Sequence, residues 1–312
     1  MSSVSPLAPG VRPAALRGRR LVLFNPAAGS AWQARRVRRA VEALAAVPGT
    51  AVHETRPGAG TAQVRALLTD AVTRVYVAGG DGTVGDVAGA LVDTPVALGI
   101  IPTGTTNVLA REFGIPLEPG RAAAALEASG RTLALRAWHA GAHLALLGAG
   151  VGWDAQVMAC SSQALKRRVG RGGIGLIGLR EMARYDFPPL VVTGTDEQGR
   201  EATLRGTSVL FASVKRWAGG NLGIPQADPC DDVIDVVALV SRSRLHLLAF
   251  WILMVTPGGR PLRLPGVRTA RFARARVVCA EGRAIAAHVN GDPVLRTPFD
   301  LEPGGRLRVL VP

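Results

Sequence analysis

The stretch VYVAGGDGTVGDVAGAL, residues 75–91, joins an apolar run to a helix-like pattern through Gly79-Gly80-Asp81-Gly82-Thr83, with no spacer. Two other apolar runs stop in a similar way. LVLF ends in Asn25-Pro26-Ala27-Ala28-Gly29, and PVALGII ends in Pro102-Thr103-Gly104-Thr105-Thr106-Asn107. Strands that turn directly into helices belong to an open α/β sheet, in which ligands bind beyond the carboxyl ends of the strands. Glycine lets backbone N–H groups approach a phosphate, and the helix N-terminus that follows favours negative charge. The hydroxyls of Thr83 and Thr105 add donors, and Asp81 could organise a magnesium shell. One such loop is equally well explained as a tight strand-to-helix turn. Three of them at neighbouring strand ends favour a phosphate site.

The pattern up to about Gly130 supports this reading. LVLFNP, AVHETR, VTRVYVA and PVALGIIP read as strands. SAWQARRVRRAVEALAAV reads as a helix with Val37, Val41 and Leu44 on one face and Ser30 as its N-cap. TAQVRALLTDAV, with Val64, Leu67, Leu68 and Val72 at helical spacing, reads as a second, and VGDVAGALV, TNVLAREFG and RAAAALEASG as three more. The expected architecture is an α/β nucleotide-binding domain, a parallel sheet with helices on both faces. Beyond about Arg131 the pattern changes to short β-like runs, from TLALRAW to RLRVLVP, with helix mainly around Leu165–Tyr185 and Leu245–Val255. That half is expected to be a mostly antiparallel β-sandwich domain. The expected divisions are a mobile leader over 1–19, the α/β domain over 20–132 and the β-rich domain over 133–312.

Composition excludes several classes. The 312 residues are 48% hydrophobic, too apolar for a disordered chain. Cys160, Cys230 and Cys279 are scattered, which suggests a reducing compartment rather than a disulfide framework or zinc site. No run reaches the roughly 18–20 apolar residues needed to span a bilayer, and the first twenty residues lack the apolar core of a signal peptide. The expected location is therefore cytoplasmic, with peripheral contact at the inner membrane face. Net charge is +14, and all but two of the 37 basic residues, Lys166 and Lys215, are arginine. An arginine-favouring genome or an electropositive face for anionic partners explains this equally well. Nucleic acid is not expected, because zinc-finger spacing and RNA-binding aromatic motifs are missing.

The loops match neither the G-x-x-x-x-G-K-[ST] phosphate loop nor the G-x-G-x-x-G dinucleotide fingerprint. The ordered set N-P-x-x-G, G-G-D-G-T and P-x-G-T-x-N-x-x-A-R (Pro102 to Arg111) resembles the diacylglycerol kinase catalytic-domain family, which includes bacterial lipid kinases and sphingosine kinases. The resemblance continues through LGAGVGWDAQV (Leu147–Val157) and GGNLGIPQADPCDDVIDVV (Gly219–Val237), so it spans roughly residues 20–310. It implies an ATP- and magnesium-dependent lipid kinase with its nucleotide between the two domains and a lipid substrate in the β domain. By motif match, Asn25, Pro26, Gly29, Gly79, Gly80, Asp81, Gly82, Thr83, Gly104, Thr105 and Asn107 would hold ATP or its Mg2+, with Thr55 nearby. Asp231 matches a structural magnesium ligand of the family, with Asp228 close enough to help. Read without the resemblance, Asp228, Asp231 and Asp232 are an acidic surface turn.

The match breaks at one place that bears on catalysis. The family carries D-G-E near its C-terminal end, its Asp being the expected base for the lipid hydroxyl. This chain has Asn290-Gly291-Asp292 there, in AAHVNGDPV. Asn-Gly between β-like runs is also a hairpin turn signal. General-base help is typically worth about 10²–10⁴-fold, so its loss leaves a slow kinase rather than necessarily a dead one. Two rescues are open: Asp292 takes the base role, or Asn290 deamidates to Asp. Asp232 replaces the glycine of D-G-x-L-D, and Gly85-Asp86 stands where Asn-Glu is usual. LHLLAFWILMV (Leu245–Val255) is either a buried helix or a docking helix, and KRRVGRGG (Lys166–Gly173) either a solvated loop or a contact for an anionic membrane surface. The main rival is a nucleotide- and lipid-binding protein with little or no catalysis, followed by a kinase of a non-lipid acceptor. Acceptor identity and oligomeric state stay open.

Overall fold

The computed structural model describes residues 18–25, 31–55, 60–160, 175–217 and 221–312. The chain divides into two units, one running to Leu135 and taking in Arg306–Pro312, the other formed by Arg136–Gly305.

In the first unit strands and helices alternate: β1 (Arg19–Phe24), α1 (Ala31–Ala45), β2 (Thr50–Glu54), α2 (Gly60–Leu67), β3 (Val72–Gly79), α3 (Asp81–Ala88), β4 (Ala97–Pro102), α4 (Val108–Glu112) and α5 (Pro119–Ser129). The strands pair in parallel in the order β2-β1-β3-β4, and near the C-terminus Arg308 and Val309 add a parallel partner beside β4. Every residue of β4 and most of β3 is buried, as strands covered on both faces require. Two boundaries differ from the periodicity. The second helix stops at Leu67, and Val72 opens β3, because a turn in which the Val72 N–H donates to Thr69 O intervenes. The third helix starts at Asp81 rather than Val84, so the glycine loop is itself the first helical turn. Ser30, the expected cap of α1, lies outside the described residues.

Helix α5 shows how local sequence and packing agree. Glu118 caps it by accepting the Arg121 N–H, Pro119 sits where a missing N–H costs nothing, and Gly130 closes it at φ 60°. Its Glu127 faces the sheet. Arg20 of β1 and Arg74 of β3 are register partners, and both reach this carboxylate, Arg20 Nε at 2.9 Å and Arg74 Nη1 at 3.0 Å. The Tyr76 hydroxyl donates to its second oxygen. Arg74 is buried and Tyr76 fully so.

The second unit takes over within β5 (Arg131–Ala140) and continues with β6 (His143–Ala145), β7 (Gly148–Val151), α6 (Trp153–Cys160) and a helix, α7, described over 175–184. Then come β8 (Leu190–Thr195), β9 (Glu201–Gly206), β10 (Ser208–Ala212), β11 (Arg216–Trp217), β12 (Asn221–Leu222) and β13 (Ile234–Leu239). The unit ends with α8 (Arg244–Val255), β14 (Val267–Phe272), β15 (Arg274–Cys279), β16 (Ala286–Val289), β17 (Asp292–Arg296) and the start of β18 (Phe299–Val311). One sheet runs β14-β13-β10-β7-β16-β17, with all neighbouring strands antiparallel. A second runs β9-β8-β15-β18 through antiparallel pairs. Phe211, Ala287 and Phe272 from the first sheet share one core with Val192, Val277 and Phe299 from the second, the packing of a β-sandwich. The fold is thus an α/β domain followed by an antiparallel sandwich. None of the three cysteines forms a disulfide, and no described helix is long and apolar enough to cross a membrane.

Candidate active site

The parallel order puts four strand ends side by side. Their backbones are tied laterally: the Thr55 N–H donates to Phe24 O, the Asn25 N–H to Ala78 O and the Thr103 N–H to Gly79 O, at 2.9, 3.2 and 3.1 Å. Asn25, Thr55, the Gly79–Thr83 loop and the Thr103–Asn107 loop therefore lie along one edge of the sheet, the edge where open α/β sheets bind ligands. Pro26 and Gly29 fall outside the described residues.

The two central loops touch. A Cβ at Gly104 would come 2.8 Å from Gly80 Cα, and one at Gly80 would come 3.2 Å from Gly104 Cα, so the crossing excludes a side chain at 104 and leaves little room for one at 80. Gly82 has open space around it, and Thr105 is exposed. Gly80 is the N-cap of α3 with no side chain to satisfy the first-turn N–H groups. A bound phosphate would supply the missing acceptors. Thr103 is 2% exposed, and its hydroxyl has no hydrogen-bond partner among the described residues. The glycine cradle and this orphaned hydroxyl fit a polyphosphate.

Asp81 and Asn107 turn out to position the loops. The Asp81 carboxylate accepts the N–H groups of Val108 and Leu109, at 3.0 and 3.2 Å, joining the first turn of α3 to that of α4. Burial pushes its carboxyl up, and those N–H groups oppose the shift. Asn107, at φ 47°, closes its own loop: Oδ1 accepts the Gly104 N–H and Nδ2 donates to Gly104 O.

The acidic turn of the second unit is held by its own backbone and by arginines. Asp228 accepts the Cys230 N–H and Asp231 the Val233 N–H. The other Asp231 oxygen pairs with Arg271, whose Nε lies 3.8 Å from the buried Asp235, its direct cross-strand partner. The neighbouring strand thus supplies the cation, and no cluster of three or more His, Cys, Asp or Glu suits a metal among the described residues. Asp232, in the glycine position of the motif, pairs with Arg136. Burial, helped by the charges of Asp228 and Asp235, pushes the Asp231 carboxyl up to about 6 despite Val233 and Arg271. A carboxyl with a higher pKa folded than unfolded favours the folded state when protonated, so its contribution is lost as pH rises through about 6. Melting temperatures measured across that range are expected to fall less steeply with rising pH in Asp231→Asn than in the unmodified protein. Equal slopes would contradict this.

Asn290 and Gly291 form the two-residue turn between β16 and β17, at φ 54° and 90°, as Asn-Gly predicts. The amide is tied to the preceding strand region on both sides. Its Oδ1 accepts the N–H groups of Leu146 and Leu147, both at 2.9 Å, and its Nδ2 donates to Leu144 O at 2.7 Å. An ionised Asp would keep the two acceptor contacts but turn a carboxylate oxygen on the Leu144 carbonyl. Asn290→Asp is therefore expected to lose about 1–3 kcal/mol of stability, a typical penalty for an unsatisfied buried group. Denaturant titration measures the loss, and an equally or more stable variant would show that the donor is dispensable. Asp292 opens β17 exposed to solvent.

An α/β domain with glycine loops along one sheet edge, followed in the chain by an antiparallel sandwich, is the domain pair of a kinase family. Residues 19–137 match the diacylglycerol kinase catalytic domain, and residues 148–311 match the YegS C-terminal NAD kinase beta sandwich-like domain. The chain belongs to the diacylglycerol kinase and YegS-like lipid kinase family. A Pseudomonas fluorescens protein named "Probable lipid kinase YegS-like" is 36% identical over 294 residues, 88% of this chain and 90% of that one. A Mycobacterium tuberculosis protein named "Diacylglycerol kinase" is 30% identical over 256 residues, 76% of this chain and 77% of its own. A crystal structure described as a diacylglycerol kinase from Bacillus anthracis str. Sterne superposes with a TM-score of 0.70 at 17% identity, covering 95% of this chain and 97% of that one, and so matches the fold.

Proposed function

We propose that the protein transfers the γ-phosphoryl group of ATP to the hydroxyl of a long-chain lipid. The observation that carries the reading is the Gly80–Gly104 crossing beside the orphaned Thr103 hydroxyl, in a chain whose relatives are named lipid kinases. Magnesium bound with ATP would supply charge neutralisation on the phosphates. The protein's own part is positioning and donor placement, which dominate phosphoryl transfer because the transition state is loose. The first-turn N–H groups of α3 and the hydroxyls of Thr83, Thr103 and Thr105 would receive phosphate oxygens. Asp81 and Asn107 keep the two loops in register.

Contact with an anionic membrane belongs to the same proposal. Helix α8 buries Leu247, Phe250 and Met254 but exposes Leu245 and Ile252. Helix α7 exposes Leu176 and Leu179, and its Gly178 lies against Trp251 of α8. Arg180, Arg184, Arg242 and Arg244 are exposed beside these leucines in sequence, the mixture that suits a peripheral membrane helix. KRRVGRGG lies outside the described residues.

One observation favours the second reading, a binding protein with weak catalysis: the Asn290 amide cannot take a proton, and its Oδ1 already accepts two backbone N–H groups. The test is transfer of labelled phosphate to a series of acceptors with progressively shorter acyl chains, presented in mixed micelles. Activity that collapses as the chain shortens supports a lipid acceptor. Undiminished transfer to water-soluble polyols would reassign the acceptor class.

A further inference from the structure

Strand β9 ends its sheet. Its one strand neighbour is β8, paired from Glu201 against Thr195 to Gly206 against Leu190. Beyond that ladder, the backbone from Glu201 to Arg205 makes no hydrogen bond among the described residues. The outward N–H and C=O groups of such an edge are a template for another strand. Glu201, Thr203 and Arg205 share the outer face, and all three are exposed. Ala202 and Leu204 share the inner face. There Leu204, opposite the core residue Val192, is half-buried against the sandwich core, while Ala202 is exposed. Arg200, just before the strand, is taken by Asp196, but Glu201 and Arg205 pair with no charged group among the described residues.

We propose that the protein dimerises by joining β9 to the β9 of a second copy, an isologous contact that continues the sheet across both copies. Two copies set antiparallel about a two-fold axis at Thr203 bring Glu201 opposite Arg205 twice and Thr203 opposite Thr203. Opposite charges and paired threonines directly across a ladder are both favourable. The same register sets Ala202 opposite Leu204 twice on the inner face, so the second copy covers the part of Leu204 that its own core leaves open. A slip of one residue would turn the charges inward, so both faces select one register. The other strands that end sheets in this unit lack this self-complementarity. β14 carries Arg268 and Arg271 with no acid, so two copies repel each other. β17 carries Pro293, which removes a ladder donor and blunts the edge. Charges on an edge strand also guard it against pairing, but charges of one sign would do that, and β9 has one of each, equidistant from its centre. The contact between two six-residue strands falls below the about 1,200 Å² total of stable interfaces, so the dimer dissociates on dilution.

The test is sedimentation velocity from micromolar to millimolar protein, on the unmodified chain, Arg205→Glu, Glu201→Arg and the double exchange. Melting curves verify that each variant is folded, as expected at two exposed positions. The unmodified chain is expected to shift from monomer to dimer with concentration. Each single exchange turns two symmetry-related attractions into repulsions and should raise the dimer Kd about tenfold. The double exchange should restore the unmodified Kd. The decisive sample is an equal mixture of the two single variants: neither pairs well with itself, yet each presents the charges the other needs, so the mixture should dimerise as the unmodified chain does. A monomer throughout the series, single variants that dimerise as well as the unmodified chain, or a mixture that associates no better than its components overturns the proposal. None of these outcomes bears on the kinase reading.

Discussion

Glu127→Ala is expected to lose about 3–5 kcal/mol of folding stability, the usual penalty for removing one partner of a buried charge cluster. Glu127 is the shared counter-charge of Arg20 and Arg74 and the acceptor for Tyr76. Arg74 is 7% exposed, and its Nε lacks a hydrogen-bond partner among the described residues, so losing the carboxylate leaves a buried guanidinium poorly compensated. Burial raises the Glu127 pKa, but bonds from Arg20 and Tyr76 and the two guanidinium charges outweigh it, and the net shift is downward. A depressed carboxylate stabilises the fold above its unfolded pKa, about 4.3, and that contribution is lost as pH falls through the folded value. Glu127→Gln should reproduce most of the loss and flatten its acid dependence. Arg20 and Arg74 lie near the start of their strands, away from the carboxyl-end loops, so the folded fraction should keep its turnover. Denaturant titration at neutral pH measures this. A loss under about 1 kcal/mol would mean the cluster behaves as an ordinary surface pair.

Asp81→Ala should act on function more than on stability. Its two carboxylate bonds to Val108 and Leu109 join the loops that cross at Gly80 and Gly104. Releasing them costs about 1–3 kcal/mol, which a domain of this size survives. The phosphate donors, however, sit on both loops. A displacement of about 1 Å can lower a rate by about 10²-fold, and that is the expected fall in kcat/KM for ATP. Asp81→Asn, with one good acceptor instead of two, should fall between. Steady-state kinetics with melting curves separate the effects, and a folded Asp81→Ala protein with unchanged kcat/KM would deny the loops their phosphate role.

The parts of this molecule that were legible in the sequence depend on neighbours in the chain. The order β2-β1-β3-β4 places glycine loops at one edge, and each loop announces itself within five or six residues. The Asn290-Gly291 turn was legible for the same reason. What could not be read depends on partners that only the topology brings together. Asp81 looked like a metal-shell residue because its motif is local, yet its partners lie 27 and 28 residues on. Asn290 looked like a vacated base, and its three contacts come from residues 144–147. The pairing of Asp231 with Arg271, 40 residues away on the adjacent strand, has no local signal either. Thr103 carried one available signal, a hydroxyl in a loop otherwise read for its glycines, but its burial follows from the packing of β4. The second helix was drawn too long because Val72 keeps helical phase across the turn at Thr69.

The central claim is transfer, and the most direct measurement is phosphate movement itself. The unmodified protein would be incubated with γ-labelled ATP, with and without magnesium, and with diacylglycerol, a sphingoid base, a glycolipid and a polyprenol in mixed micelles. Magnesium-dependent label is expected in one of the extracted lipids. ATP that binds while every lipid stays unlabelled, in the unmodified protein and in Asn290→Asp alike, would contradict it.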